Sequence, residues 1–183
     1  MSVKHRTRQQ IEQMVYDLLV EHSAEDSVPV PVEKIAREKG LPVIETTMNA
    51  DVSGALIRSN NLQGIAVNAA QSPVRKRFTV AHELGHFLLE HVDRDHVDWE
   101  FTVIRRDGLS SEAQDDQEIA ANFFAANLLM PRHILRKDVE NYKGFDGEIR
   151  LDDTDILILA RRYRVSEAAM RFRLQGLGFV SLA

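Results

Sequence analysis

The stretch Phe78–His91 reads FTVAHELGHFLLEH, two histidines four residues apart with a glutamate directly after the first. In a helix, residues i and i+4 share a face, so His82 and His86 can turn imidazole nitrogens toward one ion. Glu83 sits one residue round, beside the same cleft, where it can take a proton from a water without binding the ion itself. Phe78, Val80, Ala81, Leu84, Gly85, Leu88 and Leu89 surround the motif with apolar or small residues, as a buried helix lining a cleft requires. Chance yields roughly 0.02 copies of an H-E-x-x-H pattern in a chain of this composition, which weighs against a surface helix that merely carries two histidines. Gly85 costs a helix roughly 1 kcal/mol relative to alanine. Its presence points to a close approach by another backbone or a ligand.

Two histidines fill only part of a coordination shell. A third in the same segment would need glycine at 89 and histidine at 92, where the chain has Leu89 and Val92. His91 falls on the opposite side of a continuing helix, and Glu90 lies about 12 Å along the axis from His82. The run QEIAANFFAANLLMP offers a carboxylate instead. Glu118, Ala121, Asn122 and Ala125 follow i, i+3, i+4 and i+7, a narrow face whose small residues suit packing on the Gly85 side of the first helix. Glu118 is the expected third ligand. Asp115 and Asp116 are competitors, and a glutamate at a helix N-terminus also serves the dipole alone. Asn122 reads either as a residue orienting Glu118 or His82 or as a helix-packing contact. With no cysteine in the chain, any ion is held by His, Asp or Glu. One Zn2+ per chain is expected, and the same ligands suit Mn2+.

Around this centre the chain reads as one α+β domain over residues 1–183, mostly helical. Residues 1–40 carry helices near Thr7–Ser23 and Val32–Lys39, with Gly40 as a cap. Residues 41–70 hold the β-like runs PVIETT, SGALIRS and QGIAVNA, expected to form a small three-stranded antiparallel sheet whose last two strands make a hairpin through SNN. The catalytic helices span 74–138, the first beginning at Ser72-Pro73 and running on to His91. Asp93–Asp116 reads as a long mobile loop interrupted by a β-like WEFTVI. A C-terminal helical hairpin over 152–177 resembles a helix-turn-helix.

Composition excludes other classes. No apolar run is long enough to cross a bilayer, and MSVKHRTRQQIEQ has no signal-peptide core, so a cytoplasmic location without membrane contact is expected. A net charge of −5 argues against a domain dominated by non-specific nucleic-acid binding. The segment Arg161–Arg173 nevertheless carries five arginines against one glutamate, as a DNA-binding helix pair would. Packing on the catalytic core through Ile156, Leu159, Ala160, Met170 and Leu174 is the favoured reading of that hairpin.

RKRFTVAHELGHFLLEH followed by EIAANFFAANLLMP strongly resembles the ImmA/IrrE family of metallo-endopeptidases, and the resemblance extends over PVPVEKIAREKGLPV, SGALI, GIAVN and LARRYRVSEAAMRFRLQGLG. It implies a zincin-like fold, with zinc on His82, His86 and Glu118 and with Glu83 as catalytic acid/base. It also implies cleavage of a specific intracellular protein, a helix-turn-helix transcriptional repressor encoded nearby, and hence a role in transcription regulation. Two other classes stand beside this: a DNA-binding regulator with a vestigial or sensory metal site, and a toxin–antitoxin type interaction protein with a structural ion. The intact Glu83 separates the first class from the last, because a structural site has no need of a base. For a donor to a developing oxyanion, His91, His96, His133, Tyr142, Arg105 and Arg106 all remain candidates.

Overall fold

The computed structural model describes residues 6–59, 62–90, 96–99 and 111–180. Among the described residues the chain forms seven α-helices, one short 3-10 turn and one four-stranded sheet. The fold is α+β, as expected.

Helix α1 (Arg8–Glu21) starts at a capping box in which the Thr7 side chain accepts from Gln10 N and the Gln10 side chain accepts from Thr7 N. That exchange satisfies two of the orphan donors of the first turn. Its Ile11, Val15, Leu18 and Leu19 are buried, the 3.6-residue period read from the sequence. Helix α2 (Val32–Glu38) ends where Gly40 takes a left-handed φ of +79°.

Strands β1 (Val43–Thr46), β2 (Val52–Ser59) and β3 (Leu62–Asn68) are the three expected from the sequence. Their arrangement differs. The order is β1-β3-β2-β4, β1 runs parallel to β3 with Val43 opposite Ile65, and β4 (His96–Trp99) adds a fourth strand antiparallel to β2. The sheet is therefore mixed and four-stranded, not three-stranded and antiparallel. The connection from Ser59 to Leu62 is short enough that β2 and β3 pair antiparallel. No local signal says which face of that hairpin β1 joins, and β3 inserts between β1 and β2. Strand β4 at His96–Trp99 meets the β-like WEFTVI run at Trp99; the rest of that run, residues 100–104, lies outside the described residues.

Helix α3 (Pro73–Leu88) begins at the Ser72 N-cap with proline in its first turn. It stops a turn short of His91, where Glu90 adopts a left-handed φ of +59°. Helix α4 (Ser111–Leu129) starts six residues before the expected QEIAAN run, inside the segment read as loop. SEAQDD lacks apolar periodicity, yet Ala, Glu and Gln are good helix formers and acidic residues favour an N-terminal turn. Helix α5 (Arg132–Val139) follows Pro131 and leads into the 3-10 turn Glu140–Tyr142. The hairpin α6 (Asp153–Tyr163) and α7 (Glu167–Gly176) closes the fold around a three-residue turn whose Arg164 is left-handed.

Helix α3 is the centre of the molecule. It touches β2 and β3 of the sheet and the helices α2 and α4, while α1 packs on α4. The core runs continuously from Ile11, Leu19 and Ile35 through Leu56, Ile65, Leu84, Phe124 and Leu128 to Leu159 and Met170. Among the described residues no helix is long and apolar enough to cross a membrane.

Candidate metal centre

Helix α3 carries the two histidines into the core one turn apart, and each is only 1% exposed. Their Nε2 atoms face each other at 3.0 Å. Helix α4 brings Glu118 onto both, its Oε2 lying 3.2 Å from His82 Nε2 and its Oε1 3.2 Å from His86 Nε2. One ligand atom from each of the three residues falls within 4.8 Å of the others. The Glu118 side chain is 35% exposed, so the cluster opens outward on its carboxylate side.

The donor set fits a divalent cation. Asn122 Oδ1 lies 3.0 Å from His82 Nδ1, and because an amide oxygen only accepts, this contact suits the tautomer that carries its proton on Nδ1. His82 Nε2 is then a lone pair aimed at another imidazole nitrogen and at a carboxylate. Buried lone pairs facing each other are costly without a shared proton or cation between them, and two imidazoles with one carboxylate are a usual ligand set for zinc. Burial pushes the Glu118 carboxyl upward, but its close pairing with the His82 and His86 rings outweighs it and holds the group well below the ordinary range. It is an anion wherever the protein is folded near neutrality.

What allows two helices to come this close is Gly85. A Cβ there would stand 3.1 Å from Phe124 Cδ1 and 3.3 Å from the Ala121 carbonyl oxygen. Ala121 and Ala125 are fully buried against α3, so the small-residue face anticipated on α4 is the face in contact. From the sheet side, a Cβ on Gly54 would meet the Thr79 side chain and lie 2.7 Å from the Ala66 carbonyl oxygen, which seats β2 directly on α3.

Glu83 lies on α3 between the histidines and is fully buried, outside the three-residue cluster of ligand atoms. Of the competing carboxylates, Glu90 is exposed beyond the helix end, and neither it nor Asp116 belongs to the cluster; the Asp115 side chain lies outside the described residues. Among the oxyanion candidates, His133 Nε2 is 2.6 Å from the Glu25 carbonyl oxygen. Tyr142 sits beside the C-terminal hairpin, where burial and then Asp155 raise its phenol. His91, Arg105 and Arg106 lie outside the described residues, and so does the His96 side chain.

Two features were not anticipated. The Phe78 ring stacks on His82, with centroids 6.1 Å apart and planes 27° from parallel, from the i−4 position of the same helix. Farther along α4, buried Asn127 accepts from Arg173 Nη2 at 2.7 Å, and Arg173 Nε donates to the Met130 carbonyl at 3.2 Å. A polar Asn127 inside FFAANLLM was the one sequence signal for that clamp.

Curated protein sequences contain no match to the chain. Among solved structures it is similar to a Mycobacterium tuberculosis transcriptional regulator, at 14% identity with a TM-score of 0.64. The likeness covers 91% of this chain and 46% of that one, so the chain spans less than half the length of that structure and shares its fold. The family model Peptidase_M78, described as the IrrE N-terminal-like domain, matches residues 36–175. With α3, α4 and all but the last residue of the C-terminal hairpin inside the matched span, the chain belongs to this IrrE N-terminal-like peptidase family.

Proposed function

We propose that the protein is a zinc-dependent endopeptidase that cleaves a specific protein in the cytoplasm, with His82, His86 and Glu118 as metal ligands and Glu83 as acid/base. The observation that carries this is the convergence of His82 Nε2, His86 Nε2 and the Glu118 carboxylate at one buried point that opens on one side. Bound there, Zn2+ supplies Lewis acidity toward water and a peptide carbonyl, and Mn2+ is the alternative ion for the same ligands. The chain's own part is positional. Helix α3 aims both imidazoles, and α4 delivers the carboxylate. Glu83 takes one proton from the attacking water as its oxygen bonds to the carbonyl carbon, then passes that proton to the leaving amine nitrogen as the C–N bond breaks. Three protein ligands leave room for substrate, as a catalytic site needs and a structural one does not.

For the substrate we infer a helix-turn-helix transcriptional repressor encoded nearby. The support is the sequence resemblance to ImmA/IrrE proteins. A regulatory setting is also compatible with a structural neighbour named as a transcriptional regulator. The DNA-binding alternative draws less support, because Arg162, Arg171 and Arg173 of the hairpin are each bonded within the chain, to Asp138, to Asp153 and Glu167, and to Asn127.

Elemental analysis of purified wild type, Glu118→Gln and Glu83→Gln tests the reading. About one zinc per chain is expected in wild type and in Glu83→Gln, with none in Glu118→Gln. Wild type that takes up no divalent ion would overturn the proposal.

A further inference from the structure

The first ligand, His82, is held from three sides. Its ring is stacked by Phe78 at 6.1 Å, edged by His86 at 4.6 Å and 74°, and bonded at Nδ1 by Asn122 Oδ1 at 3.0 Å. The two ring contacts restrict its tilt but say nothing about which nitrogen bears the proton. The Asn122 oxygen at Nδ1 calls for an Nδ1–H ring, and that form leaves Nε2, which faces the Glu118 carboxylate and His86 Nε2, as the atom that can ligate.

Asn122 stands one helical turn beyond Glu118 on the α4 face that packs on α3. One helix therefore delivers both the third ligand and the group that orients the first. The reach depends on Gly85, since the close approach of Ala121 and Phe124 to that glycine brings the short amide within bonding distance of the ring. A side chain that merely filled the interface would pack equally well as an aliphatic residue of similar size. An acceptor at this position does something an aliphatic cannot.

We propose that Asn122 is a positioning residue that selects the Nδ1–H tautomer of His82 and so presets its Nε2 for metal binding. This rests on the metal-site reading above. Outer-sphere partners of this kind, when removed, weaken metal affinity by about 10- to 100-fold. The amide orientation is itself open to test, because a reversed amide would donate to Nδ1 and force the proton onto Nε2, the wrong tautomer for a ligand.

The test has two arms, neither needing a substrate. Long-range proton–nitrogen NMR on metal-free wild type, with His82 assigned through His82→Gln, is expected to show the Nδ1–H form. Zinc titration against a chromophoric chelator is expected to show a loss of about 10- to 100-fold in Asn122→Leu and wild-type affinity or better in Asn122→Asp. The metal-free melting transition of each variant separates this loss from unfolding. An Nε2–H tautomer in wild type, or undiminished zinc affinity in a folded Asn122→Leu, would overturn the proposal while leaving the metal site standing. Failure of wild type to bind zinc would remove the metal site, and this role of Asn122 with it.

Discussion

The ring of Phe124 lies 3.1 Å from where a Cβ on Gly85 would stand. A methyl group there requires its neighbours to give by a few tenths of an ångström, and the one at 3.3 Å is the Ala121 backbone carbonyl rather than a side chain that can swing aside. Gly85→Ala gains roughly 1 kcal/mol of helix propensity and incurs an overpacking cost of about 1–3 kcal/mol. The expected balance is a modest loss of stability by chemical denaturation, together with weaker zinc binding, since Glu118 and Asn122 ride on the displaced helix. A variant both more stable and equally zinc-competent would show that α4 yields freely.

Zinc is expected to stabilise the native chain. An ion that binds the folded state alone adds about 2.7 kcal/mol at a hundredfold excess over its Kd. Urea unfolding of wild type with and without zinc should show that increment, and Glu118→Gln should show none of it. Equal stabilisation of both proteins would place the ion elsewhere.

Arg173 is 6% exposed, and burial lowers its guanidinium to about 10 against a weaker upward pull from Glu12. A side chain so placed serves the fold. Arg173→Ala leaves Asn127 Oδ1 and the Met130 carbonyl without that donor and is expected to cost about 2–3 kcal/mol. Arg171 is surface-paired, and Arg171→Ala should stay within about 0.5 kcal/mol of wild type. Neither substitution should alter a salt-dependent mobility shift with duplex DNA. A shift in wild type that both variants abolish would restore the DNA-binding reading.

Tyr163 is fully buried, and its hydroxyl donates to Asp138 Oδ2 at 2.8 Å. Burial first, and then the Asp138 bond, raises its phenol above the usual 10.0. Above pH 10 the unfolded chain releases this proton and the folded chain keeps it. The contribution is thus present below about pH 10 and declines as pH rises, by up to about 1.4 kcal/mol per unit. Tyr163→Phe is expected to cost about 1.5–3 kcal/mol at pH 8, with the gap to wild type narrowing at pH 11. A gap that stays constant between those two pH values would refute this account of Tyr163.

Short-range chemistry was readable along the chain. Helical phase paired His82 with His86 and set Glu118, Ala121, Asn122 and Ala125 on one face, because side chains three and four apart on a helix must point the same way. Ser72-Pro73 and Gly40 marked ends for the same local reason. Long-range choices were not readable. That β3 lies between β1 and β2, that β4 closes the far edge, that Asn122 bonds His82, and that Arg173 reaches across to Asn127 each depend on residues tens of positions apart meeting in space. No local propensity encodes such meetings. They follow from burying one shared core, whose free energy belongs to the whole set of packed elements and to no segment alone.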